Sequence, residues 1–432
     1  VVPLGLVTVV RIPSGVHLWA ARPGMPRGLG HVLGRTGGTV AILVLLGMTS
    51  AYYAVFIALL AGIAALGAFI AVRQWRPFVS ALAAGGVLAV TLLANMAPDF
   101  LYRLANGANP GALVRTPVEA EVYGLKLVQL LLPSTQHRFG PFAELRRLYD
   151  EHYPIPSESP SLGFIAAIGL VALIIVAAVS LANVARTGRS RVSPTWRMLS
   201  ALSFLTFIAL LVSWSGGIST LISFVTTALR GWNRMSIVIA ALALAAVALI
   251  VQALVFSIVK RAGWSRRGSH IALVVASVGL IGFAVWDQVP AANPALREAT
   301  IASFDSDAAF VAALEDELEP GDALLQLPYI PFPESPRVGG AHDADQLRLY
   351  LHSTDLRFSG GGIRGREEID RLADIAASDD FPAEATELGF VGVVVDAVAD
   401  DDGAVAERLR ELTDTEPTIV SPDGRFAFTP LP

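Results

Sequence analysis

Long apolar runs separated by short polar stretches fill the chain as far as residue 288, and no run of that length follows. A helix needs about 20 mostly apolar residues to cross the hydrocarbon core of a bilayer. The stretches 78–97, 162–183, 198–214, 235–259 and 270–288 meet that requirement singly. The stretch 38–72 is too long for one ordinary span, and the polar Thr49-Ser50 before Tyr52-Tyr53 predicts a break into a tight hairpin. The pattern therefore predicts about seven spans. Between them, the apolar piece from Tyr123 to Pro133 in a long loop, 98–161, is too short to cross. It predicts an interfacial or re-entrant helix, as does Ile218–Leu229.

Beyond residue 288 the period changes. Ser306–Glu319, Arg366–Ala377 and Ala404–Leu412 read as amphipathic helices. Ala323–Leu327, Val391–Val395 and Arg425–Thr429 read as strands. Strands alternating with helices predict a small α/β domain. The fold class is thus a polytopic α-helical membrane protein with a C-terminal α/β domain.

Charge fixes an expected orientation. Residues 1–288 hold 22 of the 32 basic side chains and 8 of the 37 acidic ones, a balance of +14. Residues 289–432 hold the remaining 10 and 29, a balance of −19. Arg11, Arg22, Arg27 and Arg35 precede the first span, and Arg73 and Arg76 follow the second. Arg186, Arg189, Arg191 and Arg197 lie between the fourth and fifth, and Lys260, Arg261, Arg266 and Arg267 between the sixth and seventh. Every second loop is basic, which predicts those loops to be cytoplasmic. Three regions follow: a basic cytoplasmic segment at 1–35, a transmembrane domain at 36–288 with outer loop 98–161, and an acidic extracytoplasmic domain at 289–432. The start at Val1-Val2-Pro3, without Met, fits a literally written GTG codon or the trailing part of a longer protein. The short apolar run Val1–Val10 then reads as the end of a truncated helix.

The chain has no cysteine, which excludes disulfides, thiolate metal sites and a cysteine nucleophile. Candidate chemistry concentrates on the outer face. Arg115, Glu119, Glu121, Lys126, His137, Arg138, Arg146, Arg147, Glu151 and His152 stand in the long loop, and Arg230 and Arg234 flank Trp232 before a span. Arginines at headgroup depth suit a lipid-linked phosphate through charge-assisted contacts. Carboxylates beside them suit proton abstraction or a divalent cation, the candidate cofactor. The alternatives are a solvated loop and, for Arg230, Trp232, Arg234, Tyr52 and Tyr53, ordinary interfacial anchoring. Asp99 and Asp287 are expected to reach water at span ends. Gly360–Gly365 satisfies G-x-G-x-x-G, but the polar Leu356–Ser359 before it predicts a glycine turn instead of a dinucleotide site. His342, Asp343 and Asp345 read as a solvated helix start or, alternatively, metal ligands, and Asp400-Asp401-Asp402 as a helix N-cap.

Several of these stretches are similar to one family. Tyr52-Tyr53-Ala54-Val55-Phe56 resembles the YYA-x-F element of large bacterial GT-C-type membrane glycosyltransferases and so-called sugar translocases, as does Leu131-Leu132-Pro133 through His137-Arg138. Gln326–Glu334 resembles an LPY-x-x-FPE strand, and Leu351–Ser353 with Leu356–Arg366 resembles LHS-x-x-LRWSYGAMKGR. Gly389-Phe390 and Ser421–Arg425 continue the pattern, which covers residues 50–425. Phe358 and Gly360 stand where the pattern has Trp and Tyr. The family places its catalytic acid in the first outer loop, and the turn Thr49–Tyr53 has no acidic residue, so that role carries onto no position here.

The resemblance implies the C-terminal portion of a glycosyltransferase, acting with a polyprenyl-phosphate-linked sugar donor and a glycan or lipid acceptor. It implies cell-envelope glycan assembly at the outer face of a bacterial plasma membrane, with membrane lipid as a partner and no nucleic acid. Arg115, Glu119, Glu121, His137, Arg138, Arg230 and Arg234 are the candidate substrate-binding residues. A lipid-linked sugar flippase and a non-catalytic envelope assembly protein remain the competing expectations.

Overall fold

The computed structural model describes every residue except Gly15, Gln74 and 187–192. Arg189 and Arg191 of the predicted basic loops lie outside the described residues. The chain forms two compact units: residues 1–101 with 115–291, and residues 102–114 with 292–432.

In the first unit, α1 (Val2–Arg11), α2 (Arg27–Val32) and α3 (Arg35–Thr49) precede α4 (Ala51–Val72) and α5 (Trp75–Asn106), whose last residues pass into the second unit. Short helices α6 (Glu119–Val122), α7 (Leu127–Leu131) and α8 (Gly140–His152) follow, then α9 (Phe164–Arg186), α10 (Pro194–Ser213) and α11 (Ile218–Ser223). A 3-10 turn at Trp232–Arg234 leads into α12 (Met235–Arg261) and α13 (Arg266–Gln288). Among the described residues, six helices are long and apolar enough to cross a membrane: α4, α5, α9, α10, α12 and α13. The expected break in 38–72 is present, because Ser50 is extended (φ −164°, ψ 121°) between α3 and α4. α3, with 15 residues, is shorter than the six.

Helix α12 packs on both α9 and α10. In a bilayer such contacts depend on close approach and dispersion, which small residues permit. Gly169 of α9 supplies one: a β-carbon there would stand 2.4 Å from the backbone oxygen of Ala243 in α12. α1 buries Val2, Gly5, Leu6 and Val9, a single helical face, against α3, α4 and α12. The most apolar stretch of α13 is unburied, the surface expected of a lipid-facing helix.

Two expected elements differ. The piece from Tyr123 to Pro133 is not one helix: α6 and α7 flank the link Tyr123–Lys126, because the backbone of Leu125 bonds sideways to Ser213 and Ser215 (2.8 and 3.2 Å). Within Ile218–Leu229, only the six residues of α11 are helical.

The second unit contains α14 (Pro294–Glu317), β1 (Ala323–Leu327), β2 (Arg357–Phe358), α15 (Glu367–Ala377), α16 (Phe381–Glu387), β3 (Phe390–Asp396), α17 (Ala404–Thr413), β4 (Ile419–Val420) and β5 (Phe426–Pro430). The sheet order is β2-β1-β3-β5-β4, with β1 parallel to β2 and β3, and β5 antiparallel to its neighbours. Alternation along the strands sends Leu324, Val394 and Phe428 toward Phe310 and Leu314 of α14. It sends Leu325, Leu327, Val393 and Val395 toward Leu372, Ile375, Phe381 and Leu409 of α15, α16 and α17. The result is a helix–sheet–helix sandwich, as the alternating pattern predicts. α14 begins before the expected Ser306, because Asn293 caps the amide of Leu296 (3.1 Å) and Pro294 opens the helix.

The glycine-rich stretch is a packed turn. β2 before it is a two-residue edge strand, and the Gly360 amide bonds Gln326 Oε1 (2.8 Å). Asn109 of the 102–114 segment donates to Arg364 O at 3.0 Å. Two of the three acids cap α17: Asp400 accepts from the amides of Val405 and Ala406 (3.0 and 2.9 Å), and Asp402 from that of Ala404 (3.1 Å).

Candidate functional site

At the start of α12 the chain turns tightly through Gly231–Arg234 and buries an aromatic side chain. Trp232 is 1% exposed and stacks on Phe56 of α4, with ring centroids 5.6 Å apart. Tyr52 and Tyr53 place their edges against the same Phe56 ring. The expectation of an interfacial anchor is therefore corrected for Trp232: it belongs to the interior of the helix cluster. Its burial sets the two flanking arginines in place.

Arg230 Nη1 lies 2.9 Å from Glu119 Oε2, and its guanidinium covers the Tyr123 ring at 5.3 Å. Arg115 Nη1 approaches the same Glu119 oxygen at 3.9 Å. The other oxygen of Glu119 accepts from the Thr116 amide at 3.3 Å. One carboxylate thus faces two guanidinium groups on a partly exposed surface. Glu121, on the same short helix, accepts a hydrogen bond from the Thr220 hydroxyl of α11. Lys126 turns back and donates to the carbonyls of Val122 (2.6 Å) and Gly124 (3.0 Å). Burial pushes the Lys126 amine below its ordinary pKa, opposed by the charge of Glu121.

Arg234 extends this surface. Its guanidinium lies 4.9 Å over the Tyr52 ring, and Nη2 stands 3.5 Å from Glu158 Oε1. Asn233 Nδ2 donates to the other Glu158 oxygen at 2.7 Å. That amide, with the Arg234 charge adding to it against burial, holds the Glu158 carboxyl below its ordinary range. The backbone amide of Asn233 also bonds Tyr123 O at 2.8 Å, which ties the two arginine groups into one surface.

His137 and Arg138 are engaged elsewhere. His137 Nδ1 accepts from the Phe139 amide (3.0 Å), so Nε2 carries the proton it shares with Asp287 Oδ1 (3.2 Å). Asp287 Oδ2 accepts from the Phe164 amide at 2.7 Å. Asp287 is 4% exposed, so the expectation that it reaches water is corrected: its oxygens are consumed tying α13 to the loop and to α9. Asp99, by contrast, is exposed on α5. Arg138 Nε donates to Val289 O at 2.9 Å. Arg146 is buried and bonds Asp150 and Pro133 O, while Arg147 pairs with Glu144 and Glu151 on the surface of α8. His152 Nδ1 lies 2.8 Å from Leu148 O of that helix.

Sequence reasoning missed Tyr123, Glu158, Thr220 and Asn233. The one available signal was scarcity, because Glu158 is among only 8 acidic residues before position 289. A divalent cation finds no ready cage: among the described residues no three His, Asp or Glu side chains are grouped to hold a metal ion. His342, Asp343 and Asp345 instead start a 3-10 turn, in which Asp345 accepts from the His342 amide (3.0 Å) and faces Arg425.

The arrangement offers guanidinium groups for an anionic oxygen, a carboxylate between them, and aromatic faces on either side. A scan against protein-family models finds no match to this chain, and a search of curated proteins finds none either.

Proposed function

We propose that this chain is a GT-C-like membrane glycosyltransferase acting on a polyprenyl-phosphate-linked sugar in a bacterial plasma membrane. The observation that carries the reading is the carboxylate of Glu119 held between Arg230 and Arg115, beside Tyr123, within the unit that contains the six long apolar helices. Donor phosphate oxygens would draw the guanidinium groups away from Glu119 through charge-assisted bonds. The freed carboxylate would take the proton of an acceptor hydroxyl as that oxygen bonds the anomeric carbon. The bond from that carbon to the donor phosphate breaks, and the polyprenyl phosphate leaves with its charge held by the arginines. Arg234 and Tyr52 offer a cation and an aromatic face for the sugar.

The topology proposed with this function has seven crossings, with the short α3 as the first. The N-terminus is then cytoplasmic and the acidic C-terminal unit extracytoplasmic, because alternate loops are basic.

The test is sugar transfer in proteoliposomes loaded with labelled polyprenyl-phosphate sugar. Glu119→Gln should lower the transfer rate by about 10²-fold or more while donor binding persists. Labelled lipid that crosses the bilayer without transfer, equally in wild type and variant, would replace the enzyme reading with a flippase. Neither activity, with envelope defects on removal of the acidic unit, would favour an assembly protein.

A further inference from the structure

A second arginine group lies at the opposite end of α3 from the surface just described. α3 begins at Arg35, and its 15 residues span about 22 Å before Ser50 and Tyr52. At the Arg35 end is a cavity of roughly 670 Å³ lined by Arg11, Arg22 and Arg35. Its other lining residues are Ala, Pro, Leu, Gly and Ile, so among the described residues the three guanidinium groups are its only polar side chains. None of the three forms an ion pair within the described residues, and the first acidic residue of the chain is Asp99. The backbone packs tightly at the cavity wall: a β-carbon on Gly34 would stand 2.4 Å from Gly30 O and 2.7 Å from Ala20 O.

Arg11 also lines a second space. This groove, roughly 500 Å³, is lined by α1, α10 and α12 through apolar side chains such as Leu6, Val10, Leu202 and Leu249. Basic cavity and apolar groove therefore meet at one residue. A phosphate with a hydrocarbon tail is the chemistry that matches both. Among the described residues the cavity lining carries no side-chain carboxylate or amide to read sugar hydroxyls, which favours a simple phosphodiester headgroup.

We propose that the arginine-lined cavity and the adjoining groove bind one anionic phospholipid of the surrounding bilayer. Its phosphate sits among Arg11, Arg22 and Arg35, and one acyl chain lies along α1, α10 and α12. Basic pockets between membrane helices hold anionic headgroups in this manner, and each arginine near the surface strengthens binding about fivefold.

The test is lipid retention by the purified full chain, read by native mass spectrometry. The detergent carries equimolar dioleoyl-phosphatidylglycerol and dioleoyl-phosphatidylcholine. The wild type should retain the glycerol lipid at least about tenfold over the choline lipid. Arg22→Gln and Arg35→Gln should each lower that retention about fivefold. Both side chains are exposed, so folding should persist, as checked by circular dichroism. Ala245→Phe, which fills the groove from α12, should lower lipid retention with all three arginines intact. Equal retention of both lipids, or indifference to the arginine substitutions, overturns the proposal. Displacement of the lipid by sn-glycerol 3-phosphate at equal concentration would reduce the site to a free-anion pocket and overturn it as well.

Discussion

Trp232 illustrates how far a single side chain can differ from its type. Tryptophan at a span boundary ordinarily anchors at the lipid headgroups, but here the ring is stacked on Phe56 in the interior. Trp232→Ala should cost about 3–5 kcal/mol, read as a lowered denaturation midpoint in detergent. A surface anchor would cost far less. Asp287 makes the complementary case, because its oxygens serve His137 and the amide of Phe164. Asp287→Ala should destabilise by about 1–3 kcal/mol through the donors left unsatisfied, while donor binding is unchanged. Apart from Glu158, the charged residues of the candidate site were legible in the sequence as a group, but their pairing was not. Glu119 and Arg230 lie 111 positions apart, and nothing local specifies that contact. His137 and Arg138 entered the candidate set by proximity in sequence, yet the backbone around 136–139 directs them to the end of α13.

Elements were read best where composition alone decides them. The long apolar helices and the β-branched strand β3 announce themselves, since a helix in hydrocarbon and a strand covered on both faces leave little polar interruption. The two-residue strands β2 and β4 are too short to show alternation, and α16 hides behind Pro382 with only seven residues. The link Tyr123–Lys126 escaped for another reason: its backbone bonds to residues near 214, a contact that periodicity cannot reveal. Packing of α9 on α12 depends on Gly169. Gly169→Ala should lower stability by about 1–3 kcal/mol, since the new carbon meets rigid backbone, measured as a shift in unfolding midpoint. The segment carrying Glu158 is held to the start of α12 by a carboxylate whose pKa is depressed. Such a group contributes stability above its unfolded value near 4.5, lost as pH falls through the lower folded value. Proteolysis near residues 153–161 should therefore rise below that window, and Glu158→Gln should remove the pH dependence.

For the whole molecule, the alternation of basic and non-basic loops carries the topology proposal. The absence of native cysteine makes it directly testable. Single cysteines at the exposed positions Glu151 and Asp379 should react with an impermeant maleimide from outside intact cells, and one at Arg35 only after permeabilisation. The same asymmetry separates two arginine groups, one near Glu119 and one at the far end of α3. Function is assigned to the first, so its separation from His137 and Arg138 matters most. The decisive measurement is the affinity of purified protein for a polyprenyl-phosphate sugar, compared between Arg230→Gln and Arg138→Gln. Loss of about tenfold or more in Arg230→Gln, with Arg138→Gln near wild type, is the predicted result. Equal binding by wild type and Arg230→Gln would contradict the assignment of this surface to the donor.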